Sequence, residues 1–173
     1  MAISLYDASV ATYLQLLDST RNVLTKGAAY AADNNIDLNQ IVESRLRDDM
    51  NPFRFQVVSV WHHSLGAIKG VRDGVFAPPP SLGDLDYPAL MGLVDEAASE
   101  LRKETPESIN ALADQDMKFK MGDFEMPFTV ENFILTFSLP NFYFHATTVY
   151  DMLRMQGVPL GKMDYLGAIR VSG

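Results

Sequence analysis

The sequence of 173 residues contains no cysteine, which excludes disulfide bonds, thiolate metal sites and cysteine nucleophiles. Basic residues are scarce: 14 lysines and arginines stand against 22 aspartates and glutamates, and the formal net charge is -8. Because binding to a phosphate backbone or to an anionic membrane surface requires clustered cations, we expect neither nucleic acid nor a membrane as a partner.

Long apolar runs are also absent. Nowhere do about 18 apolar residues follow one another, and the N-terminus "MAISLYDASV" lacks the features of a signal peptide, so we expect a cytoplasmic protein. G-x-G-x-x-G, P-loop, G-x-S-x-G and H-E-x-x-H motifs do not occur, which leaves nucleotide-binding, hydrolase and zincin functions without support. The composition, 47% apolar, predicts one globular domain over residues 1–173.

The apolar periodicity predicts four long helices, at about residues 5–32, 52–73, 89–105 and 130–155. A short amphipathic helix is expected within residues 38–50, and alternation around Gly122-Asp123 predicts a β-hairpin before the last helix. Pro140 removes one helical hydrogen bond, so a kink is expected near Phe137. Because each helix must bury an apolar face, the pattern favours an all-α four-helix bundle with a short extra helix and a small hairpin.

The last helix carries a single histidine, His145, in the middle of its apolar face. At 3.6 residues per turn, Asn141 and Ser138 lie one and two turns before His145 on the same line, which gives the face a polar seam. Two interpretations stay open. His145 is either a core histidine whose nitrogens are hydrogen-bonded to neighbouring groups, or a proton carrier that lines a cavity between helices.

The second long helix supplies the other two histidines, His62 and His63, which flank its apolar arc on opposite sides. His62 lies nearer to the arc, so it is favoured over His63 as the residue that reaches a cleft; both could instead be boundary residues without a chemical role. The catalytic candidates are therefore His145 and His62. The candidates for contact with a substrate are Asn141, Ser138, Phe142, Trp61, Val149, Tyr143 and Lys162.

The C-terminal stretch "GVPLGKMDYLGAIRVSG" contains Lys162 and Asp164 between glycines. One interpretation is that this tail folds back and that the two charges hold it or cap a helix end. The other places Lys162 at the mouth of the pocket.

Two segments, "SRLRDDMNPFRFQV" and "VENFILTFSLPNFYFHATTVYDMLRMQGVPLGKMDYLG", resemble an uncharacterised branch of the DinB/YfiT-like helical-bundle superfamily, a domain of unknown function in short bacterial and fungal proteins. The resemblance implies a four-helix bundle, often dimeric, with a pocket between the helices at one end. It also implies a metal held by a helix-two histidine and an H-x-x-x-H pair on the last helix. This sequence departs from that pattern, because Val149 and Asn141 occupy the positions four residues from His145.

These observations predict a small-molecule-binding bundle that acts as an acid-base enzyme without metal or cofactor. The reaction would be of the isomerase, lyase or cyclase type on a small, largely apolar molecule, with His145 and His62 as proton carriers. A non-catalytic module for ligand binding or dimerisation is the alternative, and a metal-dependent transferase is the third possibility. We expect a homodimer.

Overall fold

The computed structural model describes residues 3–171, which are mostly helical and include one small sheet. The α-helices are α1 Leu5–Ala8, α2 Val10–Asp33, α3 Leu38–Glu43, α4 Phe53–Trp61, α5 Ala67–Asp73, α6 Tyr87–Leu101, α7 Pro106–Asn110, α8 Val130–Phe133, α9 Leu139–Met155 and α10 Lys162–Leu166. The strands are β1 Val75–Phe76, β2 Asp116–Met121 and β3 Phe124–Thr129. Two π-helical turns interrupt longer helices: the first π turn, His62–Gly66, joins α4 to α5, and the second π turn, Ile134–Ser138, joins α8 to α9.

Local chemistry explains where the helical segments begin, end and change. A capping box between Ser4 and Asp7 starts α1. The segment formed by α4 and α5 ends at Gly74, whose φ of 69° lies in the left-handed region that a helix C-terminus commonly uses. The second π turn lies just before Pro140, which has no N–H to donate, and it includes Phe137, where the sequence predicts a kink.

The core forms where the long helices contact one another. Helix α2 packs against α6 and α9, and α4 packs against the same two helices. The largest fully buried side chains are aromatic and aliphatic, and the aromatic ones are Tyr13, Tyr87, Phe53, Phe133 and Phe142. This arrangement leaves the first π turn beside the start of α9, because both lie along the contact between α4 and α9.

The predicted helical segments are present, with two differences in extent. The predicted helix at 38–50 ends at Glu43, and the predicted third helix ends at Leu101, before Pro106 begins the separate helix α7. The sequence interpretation also missed α10. No helix within residues 3–171 combines the length and the hydropathy that crossing a bilayer requires.

The predicted hairpin is confirmed, but it belongs to a three-stranded sheet. Strands β2 and β3 pair antiparallel, with Met121 opposite Phe124 around the turn. The short strand β1 adds to β2 in parallel, with Phe76 opposite Phe119. A two-residue strand has no alternation to detect, so the sequence did not predict it. The sheet brings Phe76 and Phe119 to the end of the helical core where the histidines lie.

Candidate functional site

The three histidines of the sequence lie together where the first π turn meets α9. His62 and His63 open the π turn, and His145 projects from α9. The rings of His63 and His145 are nearly parallel, with 6.0 Å between centroids and 16° between planes. The ring of His62 lies 5.6 Å from that of His63, at 70° to it. His63 is therefore the histidine that contacts both of the others.

A buried glutamine fixes the protonation of His145. The Nδ1 atom of His145 lies 2.7 Å from Gln56 Oε1, and Gln56 Nε2 donates to the Asn51 carbonyl oxygen at 3.1 Å. Because the glutamine amide already uses its donor on a carbonyl, its oxygen must accept from His145, so Nδ1 carries the proton. The other nitrogen, Nε2, makes no hydrogen bond to residues 3–171 and keeps some exposed surface. The neutral ring thus has one free lone pair.

Aromatic side chains enclose the His145 ring. Phe144 and Phe55 contact it edge-on, at centroid distances of 5.2 and 5.8 Å, and the residue is only 9% exposed. Burial lowers the pKa of His145 to about 4, because the charged imidazolium loses hydration. His145 is therefore neutral at pH 7.

His63 has an orphan nitrogen. Its Nδ1 is the only buried side-chain polar atom in residues 3–171 that has no hydrogen-bond partner. Burial, with smaller contributions from the positive charges that His62 and His145 would carry, lowers the pKa of His63 to about 3. Leaving a buried polar atom without a partner costs free energy.

His62 is held away from His145. Its Nε2 donates to the Ala77 carbonyl oxygen at 2.7 Å, and its ring stacks on Phe76 at 4.4 Å. Burial lowers the pKa of His62, and the bond to Ala77 opposes this effect. A helical wheel with regular α-helical spacing favoured His62 as the residue that reaches the cleft. The helix changes to π geometry at His62, which rotates the following side chains, and His63 becomes the neighbour of His145.

A chain of buried hydroxyl groups reaches the backbone of His63. The Ser138 hydroxyl donates to the His63 carbonyl oxygen at 2.8 Å, and it lies 2.8 Å from the Tyr13 hydroxyl. A serine hydroxyl has one proton, so Tyr13 must donate to Ser138. Burial raises the pKa of Tyr13 far above its usual value, so the phenol keeps its proton at neutral pH.

The predicted substrate contacts divide into buried and accessible residues. Phe142, Val149 and Ser138 have no exposed surface, so the prediction that they contact a substrate is corrected: they belong to the core. Asn141 is half-buried and donates to the Phe137 carbonyl oxygen of its own helix.

Trp61 borders the histidine cluster, with 6.1 Å between its ring centroid and that of His62, whereas Tyr143 and Lys162 lie elsewhere on the surface. The indole of Trp61 donates to Glu96 at 3.2 Å. Tyr143 lines a different groove, of about 860 Å³, on the surface formed by α1, α8, α9 and the C-terminal segment. Lys162 is exposed at the start of α10.

The C-terminal tail folds back, as one of the two interpretations predicts. Asp164 accepts hydrogen bonds from the Gly161 backbone and from Lys26 on α2, at 2.9 and 2.6 Å. Lys162 makes no hydrogen bond or ion pair to residues 3–171, so Asp164 is the charge that ties the tail to α2.

A small apolar groove lies next to His145. It has a volume of about 290 Å³ and is lined by Pro52, Arg54, Phe55, Val58, Pro79, Pro80, Leu82, Gly83 and Leu85. Phe55 is shared, because it forms part of this groove and also contacts the His145 ring. His145 itself is not among the lining residues. The cavity that one of the two interpretations places at His145 therefore does not reach the ring, and the groove and the ring share only Phe55, which is 37% exposed.

The metal site that the superfamily resemblance implies does not fit these residues. Residues 3–171 contain no group of three or more His, Cys, Asp or Glu side chains that could hold a metal ion. Catalytic zinc sites normally use three protein ligands. The positions four residues from His145 hold Val149, which is a core residue, and Asn141, whose amide is bonded to its own helix. The residues around His145 therefore do not provide the ligand set that the resemblance implies.

Comparison with known proteins identifies the family. Residues 5–166 match the family described as "Domain of unknown function (DUF1993)". A solved structure of a DinB family member protein from Shewanella denitrificans has a TM-score of 0.82 with this chain at 23% sequence identity, and the match covers 98% of this chain and 95% of that one. At this identity the likeness shows the fold alone. No curated protein sequence matches the chain significantly. The chain therefore belongs to the DUF1993 family, a domain of unknown function, and shares its fold with the DinB family member protein.

Proposed function

We propose that this protein is a four-helix-bundle enzyme that moves a proton on a small, largely apolar molecule, with His145 as the base and no metal. The reaction would be an isomerase, lyase or cyclase type of step. The observation that carries this proposal is the hydrogen bond from His145 Nδ1 to Gln56, which leaves the Nε2 lone pair free on a neutral ring beside His63. General acid-base catalysis contributes roughly 10² to 10⁴ to a rate and is most effective when the pKa lies near the working pH, so a pKa of about 4 places His145 at the lower end of this range.

His63 is the second imidazole of the proposed site. Its accessible nitrogen is Nε2, because Nδ1 is buried. When His145 takes a proton from a carbon acid, the anion that forms needs a nearby donor, and a neutral imidazole N–H can supply one. His62 is a weaker candidate for this role, since its Nε2 is committed to the Ala77 carbonyl.

The groove lined by Phe55 suits a small apolar substrate. Its volume of about 290 Å³ is near the lower end of the range of ligand pockets, and prolines and leucines form most of its wall. We propose that a rotation of the half-exposed Phe55 ring joins the groove to the His145 ring. Side chains at the surface change rotamer on fast timescales, so this opening needs no movement of the helices.

Hydrogen–deuterium exchange tests this proposal without knowledge of the natural substrate. Cyclohexanone and 2-hexanone, two small apolar carbon acids, are incubated with the protein in D₂O, and exchange next to the carbonyl is followed by NMR. We expect exchange above the buffer rate, loss of that excess in His145→Gln, and a stronger loss in His63→Gln than in His62→Gln. Exchange that is equal in the wild type and in His145→Gln would overturn the proposed role of His145.

A non-catalytic bundle that binds a ligand is the second candidate. The same bond to Gln56 supports it, because a core histidine with a satisfied nitrogen needs no chemical role. Under this alternative, His145→Gln lowers the free energy of unfolding by roughly 1 to 3 kcal/mol and leaves any exchange unchanged. Chemical denaturation of the two proteins, measured beside the exchange rates, separates the candidates.

A further inference from the structure

Two polar cross-links join the segment formed by α4, the first π turn and α5 to the segment formed by the second π turn and α9. One is the bond from His145 to Gln56, and the other is the bond from Ser138 to the His63 carbonyl oxygen. The cross-links are seven residues apart on each segment, from Gln56 to His63 and from Ser138 to His145. They therefore pin the same two antiparallel segments at both ends of a stretch of about two helical turns.

We infer that Ser138 and Tyr13 are positioning residues for the proposed site: their hydroxyl groups hold the His63 backbone so that its ring lies against His145. A role of this positioning in catalysis rests on the proposed function. The placement of the ring is a separate statement about the fold, and it can be tested without any turnover.

The first π turn explains why the backbone of His63 needs an outside contact. Where a helix changes from i→i+4 to i→i+5 hydrogen bonds, its own ladder no longer defines the backbone as it does in a regular α-helix. The Ser138 hydroxyl supplies a bond to His63 at this point, from the last residue of the second π turn. One hydroxyl thus connects the two irregular turns.

Helix α2 completes the chain through Tyr13. This side chain has no exposed surface, it packs edge-on against Phe142 with 5.0 Å between ring centroids, and its hydroxyl donates to Ser138. Because the phenol ring is held by the core, the donor is fixed in space before it meets the serine. Ser138 therefore has its proton directed at the His63 carbonyl, which is the orientation that the cross-link requires.

Ser64 provides a matched control for the loss of a buried hydroxyl group. Ser64 is fully buried in the same π turn, but its hydroxyl donates to the Val60 and Trp61 carbonyls of its own helical segment. Ser64→Ala and Ser138→Ala therefore each delete one buried hydroxyl. Only Ser138→Ala cuts a bond between the two segments.

The test follows the histidine rings by NMR in the intact chain. We expect a nuclear Overhauser contact between the His63 and His145 rings in the wild type and in Ser64→Ala. In Ser138→Ala we expect that contact to disappear and the pKa of His63 to rise from about 3 toward its ordinary value, as the ring gains hydration. We expect Ser138→Thr, which keeps the hydroxyl, to restore both.

Three results would overturn the inference. One is an unchanged ring contact in a folded Ser138→Ala, and another is an equal loss of contact in Ser64→Ala. If Ser138→Ala does not fold, Tyr13→Phe provides the test. A weaker contact between the His63 and His145 rings in this variant supports the hydroxyl chain, and an unchanged ring contact is the third result that would overturn the inference. If Ser138→Ala loses the ring contact but the wild type shows no hydrogen–deuterium exchange activity, the positioning role stands and only the proposed function is rejected.

Discussion

At the scale of single residues, the neighbours of a histidine decide what it can do. His145 has a buried amide acceptor on one nitrogen and a free lone pair on the other. His62 spends its donor on a backbone carbonyl, and His63 keeps an orphan nitrogen. Three residues of one type thus have three different hydrogen-bonding states within one cluster, and burial lowers the pKa of each.

The buried histidines predict a stability that depends on pH in a defined window. His63 and His145 have pKa values of about 3 and about 4 in the folded chain, against 6.5 when unfolded, and the pKa of His62 is lowered too. The unfolded chain therefore binds more protons below pH 6.5, so the stabilisation is complete above pH 6.5 and is lost progressively as the pH falls toward 3. Because the rings keep some contact with solvent, we expect a loss of roughly 1 to 3 kcal/mol between pH 7 and 4.5.

Urea unfolding at pH 7, 5.5 and 4.5 measures this loss. Carboxylates with a lowered pKa, such as Asp164, change charge below this window and do not contribute to it. The double variant His63→Gln, His145→Gln serves as the control, and its unfolding free energy should vary less with pH. An equal slope in the wild type and the double variant would contradict the prediction.

Gln56 gives a second prediction at this scale. Gln56→Glu places a carboxylate against His145 Nδ1, and an opposite charge at hydrogen-bond distance favours the imidazolium, so the pKa of His145 should rise above about 4. An NMR titration of the ring protons measures the change. Gln115→Glu is the control, since the Gln115 side chain is exposed and donates only to the Ala111 carbonyl oxygen. A pKa of His145 that stays the same in Gln56→Glu would show that the two side chains do not interact in solution.

At the scale of elements, the two π turns are the irregular parts of otherwise long helices, and the site lies where they meet. A π turn widens the helix and redirects the side chains that follow it, which is how His63 comes to face His145. The π turn also leaves no room for a side chain at Gly66, because the His62 ring lies over that glycine.

Gly66→Ala should therefore destabilise the protein although alanine is the better helix former. A Cβ atom at Gly66 would lie 2.7 Å from His62 Nδ1, and the ring cannot retreat easily because Phe76 and the Ala77 carbonyl hold it. Gly92→Ala is the matched control, since no atom lies within 4 Å of the new Cβ in α6, and we expect a gain of about 0.5 to 1 kcal/mol there.

Thermal and urea unfolding of the two glycine variants give the comparison. Opposite signs support the packing of His62 over Gly66. A gain of similar size at both positions would mean that the ring does not occupy that place in solution.

At the scale of the whole molecule, the chain carries large apolar side chains on its surface beyond the site. The second π turn and α9 expose Leu135 by 54%, Phe144 by 56% and Met155 by 68%. With a net charge of -8, copies of this chain repel one another at long range, so association must come from apolar contacts of this kind.

We propose a homodimer, as the superfamily resemblance implies, and predict that its affinity increases with salt. Added salt screens the repulsion between two acidic chains and leaves apolar burial intact. Sedimentation equilibrium over a range of protein concentrations at 50 mM and 500 mM sodium chloride measures the association. A monomer at every concentration and both salt levels would reject the dimer.

Local residue patterns were enough to predict the long helical segments and several of the residues where they end. Apolar spacing predicted the segments that contain α2, α4, α6 and α9, the Gly122 turn predicted the hairpin, and Pro140 predicted an irregularity where the second π turn lies. The wheel also placed His145 on the buried face, and the structure buries it. Spacing carries these features because each depends on residues that are close along the chain.

Which groups meet at the site depends on how the helices pack, and residue spacing does not reveal it. Gln56 is a polar residue beside the apolar arc of its helix, and the sequence contained this signal. Its partner, His145, lies 89 positions away, and their contact is fixed only by how α4 packs on α9. The choice of His63 over His62 required the π turn, which no periodicity reveals. Contacts between distant segments depend on the packing of whole helices. A single π turn rotates the side chains that follow it, and this is enough to place His63 against His145 in the position where regular spacing favours His62.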